Sequence, residues 1–305
     1  MTQLKKKQHY VWQEYLKAWC STDRIYTYLK FSNNAIFTNL DGVAQERFHY
    51  SLQEYTIEEE IVLREAVQHF SHPDVKDMNL DFYTLLTAYS KIKRELSKKN
   101  LPKSYQEELN KKLNLLQKNT TEDIHARVES LGKDLIIADS VEKLEVAFND
   151  KNRLLSFAFI CMQYHRTKKM RLAYENLAKD HRYLKEKYAD VISIVFANGL
   201  AWGLAFFQKC KIILLKNETN ITLLTGDQPA INIKDHEKND KGYVDDFELY
   251  YPLTPKYALS IQPFQEENSI EESSLKLEEV IRLNKLVFDH SENFVFGIKD
   301  CSFPI

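Results

Sequence analysis

At 305 residues, with 44% hydrophobic and 12% aromatic residues, the chain has ample apolar material for a core. Lys and Arg total 42 against 44 Asp and Glu, a net charge of −2, so no global field draws it to nucleic acid or to an anionic membrane. Cys20, Cys161, Cys210 and Cys301 are scattered without paired or metal-ligand spacing, which fits reduced thiols and a cytoplasmic location.

The polar start, Met1 to Lys7, lacks the apolar run of a secretory signal. Gln8 to Trp19 places Val11, Tyr15 and Trp19 at i, i+4 and i+8, which predicts an amphipathic helix with His9 in its first turn. Arg24 to Leu29 alternates, and Ala35-Ile36-Phe37 follows Ser32-Asn33-Asn34, so a small N-terminal hairpin is expected. The segment from Asp41-Gly42, with Val43, Ala44, Glu46, Phe48 and Tyr50, returns the chain to the core.

Residues 57–150 read as a charged helical insertion: 57–70, 79–98, 104–118, 121–131 and 141–148, broken at Leu101-Pro102 and at Leu131-Gly132. Its Lys/Glu-rich part, Lys91 to Lys118, is a solvated face or, on the functional reading, a surface for a protein partner. Leu154 to Lys169 is apolar nearly all round and predicts a core helix, ending in the basic cluster Gln163-Tyr164-His165-Arg166-Thr167-Lys168-Lys169. Helical patterns follow over 172–188 and 191–207, the second interrupted by polar residues and therefore read as buried rather than membrane-spanning. From Lys211 the period changes to strands: 211–215, 221–224, 230–233, 249–251 and 256–261, with a polar loop over 235–246. A helix over 275–289 and a last strand over 293–296 close the chain. The fold class is thus α+β, mostly helical, with a mostly antiparallel C-terminal sheet, in one domain over 1–305.

Ordered blocks give the chain a likeness. Gln8-His9-Tyr10-Val11 with Tyr15-Leu16, Val43-Ala44-Gln45-Glu46 with Phe48 and Tyr50, Gln163-x-x-Arg166-Thr167, Thr225-Gly226-Asp227-Gln228-Pro229 and Pro252-Leu253-Thr254-Pro255 resemble the family catalogued as domain of unknown function 4238. Trp12 stands where that family usually has Pro, Lys168 where Pro often follows Arg-Thr, and Gly226 before the Asp of the turn. The resemblance supplies no substrate. The family's scattered bacterial distribution implies a setting in bacterial defence.

Candidate site residues come from these blocks. His9 at a helix start would have a lowered pKa and act as base or metal ligand, or else be a structural histidine bonded to nearby backbone. Gln163 and Arg166 at i and i+3 share a face suited to a phosphate or carboxylate, or Arg166 ties helix to sheet by pairing Asp227 or Glu46. Asp227 is a strand-end carboxylate for base or metal chemistry, or the cap of an Asx turn. Glu46 and Asn284 are the remaining candidates, Asn284 being equally a hydrogen-bonded core residue, and Gln8 accompanies His9. The expected function is an intracellular hydrolase, in its narrower form a nuclease meeting nucleic acid through a local patch, with room for a divalent metal. The alternative is a non-catalytic module gripping an anion or a partner with the same cluster. The sequence sets no oligomeric state.

Overall fold

Alternating apolar and β-branched residues make the N-terminal hairpin: β3 (Arg24–Leu29) pairs antiparallel with β4 (Asn34–Asn39), after the short β1 (Lys7–His9), α1 (Gln13–Leu16) and β2 (Cys20–Ser21). The computed structural model describes residues 3–180, 184–235 and 247–304. Most of the predicted 235–246 loop and part of the predicted 172–188 helix lie outside them. One expectation is corrected at once. His9 is on strand β1, not in a helix, because its backbone pairs with β5 (Gln45–Arg47), His9 opposite Gln45 and Gln8 opposite Glu46.

The helical region contains α2 (Ile57–Phe70), α3 (Lys76–Ser97), α4 (Lys103–Leu131) and α5 (Val141–Ala147). Thr56 and Glu59 form a reciprocal capping box at the start of α2. Predicted helices over 104–118 and 121–131 are one 29-residue helix, since nothing between Lys118 and Thr121 removes a backbone donor. Its second half turns inward: Asn119, Thr121, Ile124 and His125 are buried.

The central helix α6 (Arg153–His165) buries Phe157, Phe159, Ile160, Cys161 and Met162, each worth about 1.5–3 kcal/mol where the side chain is large and aliphatic or aromatic. It packs on α8 (Ala189–Trp202), with α7 (Lys168–Asp180) between them in sequence. The stretch Glu186–Phe207 is long and apolar enough to cross a membrane by length and composition, while α8 within it buries eight residues in the core.

The C-terminal sheet has the order β11-β6-β10-β9-β8, built from β6 (Cys210–Asn217), β8 (Ile231–Asn232), β9 (Leu249–Pro252), β10 (Tyr257–Pro263) and β11 (Ser269–Leu275); only β11 against β6 is parallel. Residues 221–224, read as a strand, make no ladder; the strand nearby is the two-residue β7 (Thr225–Gly226). Helix α9 (Leu277–His290) buries Val280, Leu283, Asn284 and Val287, a one-sided spacing. The final strand β12 (Phe294–Gly297) crosses to the other sheet, pairing β3 on one side and β7 on the other, so the chain's two ends share a sheet.

Candidate active site

The Gly-Asp-Gln-Pro turn sits where β7 meets β12. Glycine is required by close approach: a Cβ on Gly226 would stand 1.9 Å from Ser291 Oγ. Asp227 is buried, and its carboxylate accepts from the backbone N–H of Glu292 at 2.7 Å, Asn293 at 2.8 Å and Phe294 at 3.2 Å. Burial pushes its pKa up to about 6, against the pull of those three amides. Asp227 therefore caps the start of β12 rather than its own turn. Its neighbour Gln228 accepts from Thr167 Oγ1 and donates to the carbonyls of Tyr164 at 2.9 Å and Ala230 at 2.8 Å, which fastens the turn to the end of α6.

Two further candidates have fully structural bonding. Asn284 on α9 donates to the Thr222 carbonyl at 2.9 Å and accepts from Leu224 N–H at 2.9 Å, holding the segment that forms no ladder. Gln8 accepts from Tyr50 N–H at 2.8 Å and donates to the Lys118 carbonyl, clamping β1 to α4.

Arg166 is the hub of the remaining polar residues. It is 4% exposed, donates to Glu129 Oε1 at 2.6 Å and to the His9 carbonyl, and lies 5.9 Å from the Tyr50 ring centre. Its partner is Glu129 on α4, not Asp227 or Glu46. Burial works against its charge, but Tyr50 and Glu129 hold the guanidinium protonated. His9 has a lowered pKa, as expected, though the cause is burial, with the Val43 backbone pulling upward, and not a helix dipole. Gln163 is buried one turn earlier on α6.

Glu46 acts through a residue that the sequence reading missed. Its carboxylate lies 3.0 Å from His49 Nδ1 and 2.7 Å from Lys168 Nζ, and the His49 bond first, then Lys168, lowers its pKa to about 2 against burial. The turn that brings His49 back over Glu46 has Phe48 at φ 57, a conformation rare for a bulky side chain. Arg171 donates to the His49 carbonyl at 2.8 Å and approaches Asp190 at 3.3 Å. With Nδ1–H given to a carboxylate, a neutral His49 presents Nε2 as an acceptor.

That nitrogen belongs to a set of buried polar atoms without partners. His49 Nε2, His125 Nδ1, His165 Nε2 and Arg166 Nε all belong to side chains lining one cavity of about 10 Å³, room for about one water. Tyr50, Thr121, Arg171, Asp190 and Ser193 complete much of its wall. Burial lowers the pKa of His125 and pushes that of His165 down to about 3, so both are neutral. Glu122 Oε2, close enough to Arg166 to feel its charge, is also buried and unpartnered. Among the described residues no three His, Cys, Asp or Glu side chains are arranged to hold a metal ion.

Thus His9, Arg166 and Glu46 gather in one neighbourhood, Gln163 is buried one turn before Arg166 with its Nε2 unpartnered, Asp227 is tied to the edge through Gln228 and Thr167, and Asn284 serves α9. The residues missed were His49, His125 and Glu122. Their signals were spacing: His49 three residues after Glu46, and Glu122, His125 and Glu129 at i, i+3 and i+7 in the helix predicted over 121–131.

Fold and geometry define an α+β protein with a buried, partly unsatisfied cluster of acid–base groups between its helical body and its N-terminal strands. The chain belongs to the family described as protein of unknown function (DUF4238), which it matches over residues 7–193 and 195–300. Comparison with the curated proteins and with the solved structures found no match.

Proposed function

We propose that the protein is an intracellular hydrolase of phosphodiesters, a nuclease in bacterial defence, whose base is His49. One observation carries this reading. A carboxylate-oriented imidazole, Glu46 with His49, has its second nitrogen unpartnered in a wall of a water-sized polar cavity. This is the arrangement in which a carboxylate fixes the tautomer and the far nitrogen takes a proton. Arg166 supports it, because its Nε–H remains unused after Glu129 and the His9 carbonyl have taken the two Nη groups. A donor aimed at developing negative charge from a dry site is worth far more than one in water.

In this reading a water in the cavity gives its proton to His49, and its oxygen attacks phosphorus while Arg166 stabilises the oxyanion side. Arg171 and Asp190, 3.3 Å apart and half-buried, form part of the same wall. Plasmid DNA and total RNA incubated with and without Mg²⁺ or Mn²⁺, beside His49→Ala, test it. Cleavage by the wild type that His49→Ala abolishes is the expected result. An inert wild type overturns the proposal.

A non-catalytic anion-binding module has a specific observation in its favour as well: the Nε–H of Arg166 is a buried donor left over by its ion pair and suits a small anion. For that module, calorimetry would register phosphate binding, weakened by Arg166→Lys, in a protein that cleaves nothing.

A further inference from the structure

The outer face of the β1–β5 ladder carries cations without counter-charges. Lys7 and Arg47 stand directly opposite each other across the two strands, and both are exposed. Like charges in that position are destabilising. Exposed Lys6 lies one step beyond them, its carbonyl accepting from Phe48 N–H at 3.1 Å. Phe48 gathers the patch: Lys118 Nζ lies 4.0 Å from its ring centre, and the Arg47 guanidinium carbon lies 5.3 Å from it. Helix α4 delivers Lys118 there, because the Lys118 carbonyl accepts from Gln8 on β1. Carboxylates on the same elements are committed elsewhere, Asp123 to Lys5 at 2.7 Å and Glu46 to Lys168 at 2.7 Å. Among the described residues, none of Lys6, Lys7, Arg47 and Lys118 forms an ion pair.

We infer that these four cations are the surface on which the protein holds a nucleic acid by its phosphodiester backbone. This surface takes its substrate class from the hydrolase reading and places the grip on that substrate. The chain as a whole has a net charge of −2, so only a local concentration of cations gives a polyanion somewhere to bind. A run of phosphates relieves the repulsion between Lys7 and Arg47, which the protein itself leaves uncompensated. A lipid surface would call for apolar side chains standing out among the cations, whereas the Phe48 ring is half-buried and faced by Lys118. The patch also adjoins the site. Phe48 precedes His49 in the turn over Glu46, and the next pair along the ladder, Gln8 opposite Glu46, bonds to the Tyr50 backbone and to the His49 ring. Successive side chains on a strand alternate in direction, so one short ladder presents cations outward and orients the imidazole with its other face. Lys and Arg on phosphates carry no sequence information, and binding is indifferent to base sequence.

The test follows fluorescence anisotropy of a labelled mixed-sequence oligonucleotide, single-stranded or duplex, across a salt series. His49→Ala serves as the background, so that cleavage does not enter. Lys7→Gln/Arg47→Gln should weaken binding roughly 25- to 60-fold at about 0.1 M salt and reduce the slope of log K against log salt by about 1.4 for a single strand or about 1.8 for a duplex, the electrostatic share of two phosphate contacts. Lys118→Gln should lower the slope by half as much, and being on α4 it keeps the test independent of how β1 and β5 fold. The charge-retaining exchange Lys7→Arg/Arg47→Lys should keep both affinity and slope. Lys256→Gln/Lys299→Gln removes the same charge from exposed positions on other elements and should leave the slope unchanged. An equal loss in that control, or an unchanged slope in the patch variants, overturns the inference. So does binding to phosphatidylglycerol-containing vesicles by a protein that ignores both oligonucleotides. Patch-dependent binding by a wild type that cleaves nothing removes the hydrolase reading and leaves the surface. Cleavage by Lys7→Gln/Arg47→Gln with wild-type salt dependence removes the surface and leaves the hydrolase reading.

Discussion

The turn around Asp227 and the cavity beneath His49 are both buried and polar, and they differ in one respect. Around Asp227 every strong acceptor meets a donor: three backbone amides converge on the carboxylate, and Gln228 is bonded on both ends of its amide. Around His49 and Arg166 the polar atoms outnumber their partners. Because folded proteins satisfy most buried polar groups, the first pattern is architecture, and on the proposed function the second is the site. The contrast can be broken by measurement, since residues of the first kind should cost stability when removed and residues of the second kind should cost activity.

The largest loss is expected from Arg166→Ala. Arg166 joins α6 to α4 through Glu129 and to β1 through the His9 carbonyl, so its removal leaves a half-buried carboxylate without a counter-charge. Urea unfolding should show a loss of about 3–5 kcal/mol. Arg166 straddles the two regions, and a variant as stable as wild type would show that Glu129 is hydrated and the hub is no hub. Next comes Asp227→Ala at neutral pH, which strips the acceptor from three buried backbone N–H groups. A loss of about 3 kcal/mol, with β12 the first segment to lose amide-exchange protection, is the expected outcome.

How much of this was legible depended on the range of the interactions involved. The α+β class, the hairpin of β3 and β4, and the core helix α6 follow from periodicities of two and 3.6 within single segments. His9 was misplaced because a three-residue strand has too short a pattern, and its pairing with β5 is set by residues more than thirty positions away. The strand at 221–224 failed for the same reason, its backbone being held by Asn284 rather than by a ladder. Of the buried polar cluster, Arg166, His9 and Glu46 lie in the ordered blocks. Glu122 and His125 were hidden because charge on a helix usually marks the solvent face, and only the packing of β1 onto α4 shows that this stretch faces inward.

A smaller effect carries a sign that tests the inner cluster directly. Glu122 has a folded pKa of about 7 against an unfolded value of about 4.3, so the stability it contributes is full below the lower value and is lost as pH rises toward the upper one. The wild type should lose about 2 kcal/mol across that window, allowing for partial exposure, and Glu122→Gln should flatten the slope. Asp227 adds a loss of the same sign that ends near its own value of about 6, and it is present in both proteins, so the difference between their melting profiles isolates Glu122.

The smallest effect should run the other way. His125 is buried, keeps an unpartnered Nδ1, and rests against the Tyr50 ring with centres 4.4 Å apart. His125→Phe retains the aromatic contact and removes a desolvated polar atom, so chemical denaturation should register a gain of about 1 kcal/mol at neutral pH. Burial, helped by Arg166 and His49, depresses the histidine's pKa, so the wild type loses stability as pH falls below the unfolded value of about 6.5, where only the unfolded chain gains the proton. The advantage of the phenylalanine variant should therefore widen from pH 7 to pH 5. A destabilised variant would mean that Nδ1 is bonded through an ordered water whose loss outweighs the relief, and would move His125 across the divide into the architecture of the protein.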